Sequence, residues 1–308
     1  MTISGTSDVV AFRRALRRAA PTVARDLPWL RDSRPWAILV SEVMLQQTST
    51  SRVIEPWTKF MDQFPTVDAC ARAPLAQVLV AWSGLGYPRR AKALHDAARL
   101  ICDEFAGAVP SEIEALRRLP GVGEYTSNAV ASFAYGRRVA VLDTNVGRVL
   151  ARALANEPLT MSSARELARN LLPRTDVAQF NQSMLDLGAQ YCRATPRCDE
   201  CPLARLCAWR AKGGPDPAPL SAGVSRRQNP FAGSDRQVRG RVLRSLHEGP
   251  RAKARLVRDL EVGPERAEIV LESLVRDGLV AKVGRAYSLS GGAPLRPSRS
   301  YGEEKDHR

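Results

Sequence analysis

The stretch "LRRLPGVGEYTSNAVASFAYG", residues 116–136, decides the fold of this 308-residue chain. A helical pattern ends at Pro120, a turn containing Gly121 and Gly123 follows, and a second helical pattern begins at once. Because glycine adopts backbone angles that other residues avoid, so short a turn can join two helices. The free N–H groups at the start of the second helix could then hold a phosphate group without reading base sequence. Taken alone the turn is a weak signal, because most such turns only connect helices.

The pattern around this turn predicts an all-α body with a small α+β segment after it. Apolar residues recur at helical spacing from residue 9 to about residue 211, so we predict one helical domain over 1–211. Residues 212–234 are rich in Pro and Gly and are predicted to be a flexible linker. Three amphipathic helices and a hairpin then predict a winged-helix-like domain over 235–291. Residues 292–308 have no apolar period and are predicted to be disordered.

The charge of the chain indicates a polyanionic partner. Lysine and arginine number 46 against 32 acidic residues, a net charge of +14. Such a surplus favours nucleic acid first and an anionic membrane surface second, although a genome that favours arginine codons would produce the same surplus. The chain begins without an apolar core of signal-peptide length, and no stretch approaches the roughly 18 apolar residues of a membrane span. We therefore expect a cytoplasmic, nucleoid-associated protein without a membrane partner.

Four of the six cysteines lie within "YCRATPRCDECPLARLC", residues 191–207. In a reducing compartment, clustered cysteines indicate metal ligands more often than disulfides. A zinc site and an iron-sulfur cluster are both compatible with four thiolates. A structural zinc site with four cysteine ligands usually has two close pairs, whereas only Cys198 and Cys201 are closely paired here.

Two acidic residues stand in positions that suit catalysis. Glu42, within "PWAILVSEVMLQQTS" at residues 35–49, shares a largely apolar helix face, which should raise its pKa toward that of a general acid near neutral pH. A small roll of the helix would instead leave it solvated or ion-paired. Asp143, within "VAVLDTNVGRVLARAL" at residues 139–154, stands where a helix N-cap is expected. A carboxylate kept ionised by those backbone donors could also stabilise positive charge in a transition state.

Together these stretches resemble one family. The motifs "LPW", "SEVMLQQT", "WSGLGYPRRAKAL", "LPGVGEYTSNAV", "VLDTNVGRVLAR" and "FNQSMLDLGAQYC", followed by the cysteine loop, are similar to those of MutY-type adenine glycosylases. This family lies in the helix-hairpin-helix, endonuclease III-like superfamily of base-excision DNA glycosylases. The resemblance covers about residues 12–211 and implies a two-lobed all-α fold with an iron-sulfur cluster loop at residues 192–207.

The resemblance implies a role for each matching residue of the site. Glu42 would protonate the adenine leaving group, and Asp143, with Asn145 beside it, would stabilise the oxocarbenium-like sugar. The base would be flipped out of the duplex into a pocket between the helical lobes. Trp29 and Gln182 would line that pocket.

The resemblance also implies DNA contacts and a cofactor. Gln47 and Tyr87 match residues that wedge into the opened duplex. The hairpin residues that would grip the backbone phosphates are Leu119, Gly121, Val122 and Gly123. A 4Fe-4S cluster would be held by Cys192, Cys198, Cys201 and Cys207 and would order a basic loop against DNA. The expected partner is double-stranded DNA with a mispaired adenine, bound by a monomer.

Position 125 separates branches of the superfamily. Endonuclease III relatives carry there a lysine that forms a Schiff base and allows strand cleavage. This chain has Tyr125, and no lysine occurs between Lys92 and Lys212. The resemblance therefore implies a monofunctional glycosylase for adenine opposite 8-oxoguanine or guanine, with Tyr125 in the catalytic group. The alternatives are an endonuclease III-like or mismatch thymine/uracil glycosylase, and a non-catalytic iron-sulfur redox regulator that binds DNA.

Three features depart from the family pattern. Five residues separate Cys192 from Cys198, where the family usually has six. Glu124 follows the hairpin and would repel a phosphate if it pointed inward. The C-terminal part lacks the Nudix-like domain with which typical members recognise 8-oxoguanine, and its winged-helix-like segment could contact DNA or bind a protein.

Overall fold

A computed structural model describes residues 6–221, 223–224, 232–260 and 262–292. The described chain is mostly helical with one small sheet, which confirms the predicted fold class. Its contacts divide it into two compact units, one of residues 1–72 and 93–230 and the other of residues 73–92 and 231–308. This division differs from the predicted boundaries because residues 73–92 group with the C-terminal part. Nearly all of the predicted disordered tail lies outside the described residues.

The first twelve helices account for most of the chain up to residue 212. In chain order they are α1 Thr6–Val23, α2 Pro35–Leu45, α3 Thr50–Gln63, α4 Val67–Arg72, α5 Leu75–Ala81, α6 Arg89–Glu104, α7 Ile113–Arg118, α8 Glu124–Tyr135, α9 Thr144–Val149, α10 Met161–Asn170, α11 Val177–Gln190 and α12 Ala208–Lys212. A π-helical turn, Leu150–Ala155, continues α9. Among the described residues, no helix combines the length and the apolar composition needed to cross a membrane.

The first unit is built around α2. Every residue of α2 from Trp36 to Met44 is buried, because the helix is apolar except for Ser41 and Glu42 and packs against both α3 and α8. Burying each large apolar side chain contributes about 1.5–3 kcal/mol, so this helix is firmly held. A second cluster joins α1 to α9 and α11 through residues such as Phe12, Val149 and Met184.

Part of the predicted linker packs against the first unit. Asp216 forms an ion pair with Arg152, whose side chain is 1% exposed. Ala218 is buried, and the Ser221 hydroxyl accepts a hydrogen bond from the Leu159 backbone N–H at 3.0 Å. Residues 216–221 are therefore fixed by a buried charge and a buried polar contact that composition alone does not indicate.

The second unit contains the predicted three helices and hairpin. They are α13 Asp235–Ser245, α14 Lys253–Asp259, α15 Pro264–Arg276, β2 Val280–Val283 and β3 Ala286–Leu289. A two-residue strand, β1 Arg251–Ala252, pairs with β3 and completes an antiparallel sheet in the order β1-β3-β2. Helix α5 belongs to this unit and packs against β3.

Candidate active site

Glu42 is buried inside the first unit, as one of the two readings of its helix face predicts. It lies on α2 with a relative exposure of 6%. Its pKa is raised to about 7, mainly by burial and also by the nearby charge of Asp143, while a hydrogen bond from Tyr125 and the charge of Arg25 oppose the rise. Its Oε2 atom has no hydrogen-bond partner among the residues that the structure describes. Glu42 can therefore hold a proton near neutral pH and present it at an unused oxygen.

Tyr125 lies in the first turn of α8, with its hydroxyl beside the Glu42 carboxyl. Burial and the charges of Glu42 and Asp143 raise its pKa well above the ordinary value, so the phenol stays protonated. The structure thus brings Glu42, Tyr125 and Asp143 together, as the resemblance implies.

Asp143 is the N-cap of α9. Its Oδ1 accepts a hydrogen bond from the Val146 backbone N–H at 2.8 Å, and its Oδ2 accepts one from the Asn145 amide at 2.6 Å. Burial raises the pKa of Asp143 above its ordinary value, and these hydrogen bonds and the charge of Arg148 limit the rise. The capping role and the catalytic role are compatible, since the bonds that cap the helix also stabilise the ionised carboxylate.

Helix α11 approaches the Asp143 turn very closely at Gly188. A Cβ atom at this position would lie 2.6 Å from the Asn145 carbonyl oxygen and 2.7 Å from its Cβ. Only glycine permits this approach, which fixes the backbone of Asn145.

A cavity of about 380 Å³ opens beside Glu42. The predicted pocket residues Trp29 and Gln182 both line it. Trp29 is buried and meets Trp57 edge to face at a centroid distance of 6.0 Å, so its ring is a fixed wall. This cavity is large enough to accept a single nucleobase.

Asp186 also lines this cavity and is not among the predicted site residues. Its Oδ1 accepts hydrogen bonds from Arg25 Nε at 2.6 Å and from Gln182 Nε2 at 2.8 Å. Burial raises the pKa of Asp186 although Arg25 opposes the rise. The sequence signal that could have indicated it is an acidic residue inside the apolar run "SMLDLGA", which is the same signal that indicates Glu42.

The hairpin between α7 and α8 has the predicted turn, but its two glycines differ. Gly121 has φ of +78° and a Cβ there would lie 2.9 Å from that of Ala93, so glycine is required. Gly123 is the N-cap of α8 with φ of −92°, an angle open to any residue, so the expectation of special backbone freedom there is wrong. The side chains of Leu119 and Val122 are buried and anchor the turn, so only their backbone could face DNA.

The charge of Glu124, the residue after the hairpin, is paired. Its carboxylate forms an ion pair with Arg165 of α10. Because Arg165 compensates the negative charge of Glu124, the predicted repulsion of a phosphate by Glu124 is reduced.

Gln47 follows the end of α2 and is exposed, with φ of +55°. A left-handed backbone is costly for a residue with a side chain and recurs at functional positions. The preceding Gln46 donates to the Gly121 carbonyl at 3.1 Å and to the Thr126 hydroxyl at 3.2 Å. The end of the Glu42 helix is thereby tied to the hairpin. Tyr87 belongs to the second unit and is also left-handed, with φ of +47°.

The four clustered cysteines line one cavity in the first unit, and all four are free thiols. Within the described ranges, no group of three or more His, Cys, Asp or Glu side chains converges closely enough for a single metal ion. Four thiolates that line one space are a donor set that can hold a metal centre. The shorter Cys192–Cys198 spacing does not prevent the four from lining the same space.

Two buried arginines connect this loop to the rest of the unit. Arg148 donates to the Cys192 carbonyl at 2.7 Å and to the Asn145 side-chain oxygen at 2.6 Å. Arg152, on the π-helical turn, donates to the Cys192 sulfur at 3.5 Å and to the Arg193 carbonyl at 2.6 Å. The cysteine loop and the Asp143 turn therefore share one hydrogen-bond network.

Comparisons with known proteins agree with this geometry. Residues 40–174 match the family model "HhH-GPD superfamily base excision DNA repair protein". An adenine DNA glycosylase of Mycolicibacterium smegmatis is 44% identical over 276 residues, covering 87% of this chain and 92% of that protein. The chain belongs to the adenine DNA glycosylases of the HhH-GPD superfamily. The alignment with this family member is longer than the whole segment before Asp235, so it extends into the C-terminal part.

Solved structures place the same fold in other branches of the superfamily. A thermostable thymine-DNA glycosylase is 28% identical with a TM-score of 0.61, covering 67% of this chain and 98% of that one. A trapped complex of endonuclease III with DNA is 24% identical with a TM-score of 0.57, covering 66% of this chain and 97% of that chain. The latter likeness shows the fold alone.

Proposed function

We propose that this protein is a monofunctional DNA glycosylase that removes adenine mispaired with 8-oxoguanine or guanine, acting as a monomer on chromosomal DNA in the cytoplasm. The observation that carries the proposal is Glu42, a buried carboxyl with a pKa of about 7 and an unused oxygen beside a cavity of nucleobase size. The similarity to a protein named adenine DNA glycosylase supports adenine as the base.

Glu42 acts as the general acid in this proposal. It donates its proton to N7 of the flipped adenine, which makes the base a neutral leaving group as the bond from N9 to the sugar carbon C1′ breaks. Tyr125 remains protonated and holds the Glu42 carboxyl in place. General acid catalysis of this kind contributes about 10²–10⁴-fold in rate.

Asp143 stabilises the positive charge that develops on the sugar as the base leaves. Water then adds its hydroxide to C1′, and the remaining proton returns to the Glu42 carboxylate. The products are free adenine and an abasic site. Asn145 orients Asp143 through the 2.6 Å hydrogen bond described above. With Tyr125 in place of a lysine, no amine of the site attacks the sugar.

Asp186 and Gln182 suit the Watson–Crick and Hoogsteen edges of adenine. Adenine presents an exocyclic amine as donor and N7 as acceptor on one edge. The Asp186 carboxylate can accept from the amine, and protonated Glu42 donates to N7. A thymine would place a carbonyl oxygen, an acceptor, against the Asp186 carboxylate and would be disfavoured.

The proposed DNA contacts use three segments. The backbone of the hairpin turn at residues 119–123 and the N-terminus of α8 hold a phosphate group. Gln47 and Tyr87 are each proposed to enter the opened duplex, and both have the left-handed backbone that recurs at functional positions. The net charge of +14 supports a nucleic-acid partner.

We also propose that the four cysteines hold a 4Fe-4S cluster, which the donor set fits and which is typical of the family. When bound, the cluster supplies no acid, base or nucleophile and orders the loop that Arg148 and Arg152 bind. The expected result is about four iron atoms per chain with a broad visible absorption. Cys201→Ser is expected to lower the iron content and the melting temperature, whereas Cys70→Ser, outside this loop, should keep the iron. A colourless protein that contains zinc would contradict the assignment.

A panel of mispairs tests the proposed function. Duplexes with adenine opposite 8-oxoguanine, guanine, cytosine or thymine, and with thymine or uracil opposite guanine, are incubated with protein and then with alkali to cut abasic sites. We expect cleavage at the adenine opposite 8-oxoguanine or guanine, and no product before alkali. Removal of thymine or uracil in place of adenine would favour the mismatch branch, and a product trapped by borohydride would favour a Schiff-base lyase. Tight binding without any excision would favour the redox regulator.

The pH dependence of excision follows from Glu42. The protonated carboxyl is the active form, so with a pKa of about 7 the single-turnover rate should fall above pH 7, approaching tenfold per pH unit. Rapid-quench assays between pH 6 and pH 9 measure this fall. A rate that is constant up to pH 9 would show that Glu42 does not donate the proton.

A further inference from the structure

The second unit encloses the segment that carries Tyr87. Asp277, directly after α15, accepts hydrogen bonds from Arg89 at 2.6 Å and from Arg239 of α13 at 2.5 Å, and it is nearly buried. Near the end of the hairpin, a Cβ on Gly291 would lie 3.0 Å from the Leu75 backbone nitrogen. Two independent contacts therefore join residues 73–92 to the C-terminal helices and sheet. The Tyr87 turn is part of one folded body with them.

Tyr87 itself is held by Arg236, in the first turn of α13. The Arg236 guanidinium donates to the Tyr87 hydroxyl at 2.6 Å, and its Cζ lies 5.7 Å from the centre of the ring. Arg90 contributes a second cation–π contact at 5.4 Å and bonds to the Gly86 carbonyl. Both arginines thus fix one aromatic side chain whose backbone is already strained.

We infer that Arg236 is a positioning residue. Through it, helix α13 of the second unit holds the Tyr87 ring in the orientation that stacks on DNA bases. The inference rests on the proposed function, since it takes DNA as the partner of Tyr87. The hydrogen bond to its hydroxyl and the cation–π contacts restrict rotation of the Tyr87 ring, and stacking of an aromatic ring on a base is worth about 1–3 kcal/mol per base by alanine substitution. The helices and sheet after residue 231 then affect binding of the opened duplex by positioning Tyr87, and they need no base-reading surface of their own.

The test is a double-mutant cycle in the Glu42→Gln background, in which the substrate stays intact. Binding to a fluorescein-labelled duplex with adenine opposite 8-oxoguanine is measured by anisotropy for Arg236→Met, Tyr87→Leu and the double variant. Methionine keeps the apolar stem of Arg236 and leucine keeps much of the bulk of Tyr87. Arg244→Ala, an exposed arginine on the same helix, is the matched control for lost charge.

Each single variant is expected to weaken binding about five- to tenfold. The double variant should bind no more weakly than Tyr87→Leu, because Arg236 has no effect once the ring is gone. The salt dependence of binding should be the same for Arg236→Met as for the parent protein. The fluorescence of a 2-aminopurine beside the mispair should increase less when Arg236→Met binds than when Arg244→Ala binds. This fluorescence reports base unstacking, which a loss of protein stability alone does not change.

Three results would overturn the inference. The first is that the losses in affinity of Arg236→Met and Tyr87→Leu add in the double variant. The others are that Arg236→Met reduces the salt dependence of binding by about one, as expected for a direct phosphate contact, or that it weakens binding no more than Arg244→Ala does. Should Arg236→Met fail to fold, Arg236→Lys is compared in its place. Lysine keeps a cation and a donor, so this variant should bind the duplex within about twofold of the parent. If its loss of affinity added to that of Tyr87→Leu, the inference would again be overturned. Since the cycle measures binding, failure of adenine excision in the unmutated protein would reject the proposed function separately.

Discussion

Glu42→Gln is expected to lower the rate of adenine excision by at least about a thousandfold, at the upper part of the range for loss of a general acid. Glutamine has nearly the same size and shape but cannot donate a proton to adenine N7 at neutral pH. The measurement is a single-turnover assay on the duplex with adenine opposite 8-oxoguanine, with protein in excess. Binding of the same duplex should change little, because the cavity keeps its shape.

The same substitution is expected to stabilise the fold at alkaline pH. The folded-state pKa of Glu42 is about 7 and the ordinary value is 4.5, so between these pH values the folded state binds more protons than the unfolded state. The free energy of unfolding contributed by this group therefore falls as pH rises from 4.5 to 7, by about 3 kcal/mol in all. Glutamine avoids that cost.

Urea unfolding of both proteins at pH 5 and pH 8 measures this difference. Glu42→Gln should be more stable at pH 8 by up to about 3 kcal/mol, and the gain should shrink toward pH 5. Glu55→Gln, on the exposed surface of α3, is the control and should show no such gain. Equal stability at both pH values would mean that Glu42 does not become a buried charge.

Gly188→Ala is expected to destabilise the first unit by about 3 kcal/mol and to reduce excision strongly. The added Cβ would meet the Asn145 backbone at 2.6–2.7 Å, a contact with main chain that rotation of a side chain cannot relieve. Either α11 or the turn that holds Asp143 must shift. Because Asn145 donates to Asp143, such a shift would displace the Asp143 carboxylate, to which we assign stabilisation of the sugar charge.

Urea unfolding and single-turnover excision check this result together. Gly240→Ala is the matched control, since it lies inside a helix where the new Cβ would be 3.6 Å from the Arg244 side chain. It should be neutral or stabilising by up to about 1 kcal/mol, because alanine favours a helix more than glycine does. A Gly188→Ala protein as stable and active as this control would show that the close approach is not needed.

Periodicity and motifs were sufficient to predict several elements of the fold and of the candidate site. The helical body, the glycine turn at residues 119–123, the cap at Asp143 and the helices and hairpin after residue 235 follow from local spacing, which short-range backbone chemistry enforces. Periodicity alone did not decide the environment of Glu42, because a small roll of the helix would leave it solvated or ion-paired. Its burial depends on α3 and α8 covering both sides of α2, and these contacts lie far apart in the chain.

Long-range packing decided the remainder. Asp186, Arg25 and Gln182 meet only because α11 lies beside the chain that follows α1. Arg152 pairs with Asp216, which is 64 positions further along the chain and lies in the stretch that composition marks as linker. Likewise, nothing local predicts that residues 73–92 fold with the C-terminal helices. The sequence by itself determined which groups can carry the chemistry, since residue type and helical period are local properties. Only the tertiary structure decided which of those groups lose water and gain partners, because burial and pairing depend on segments that are distant along the chain.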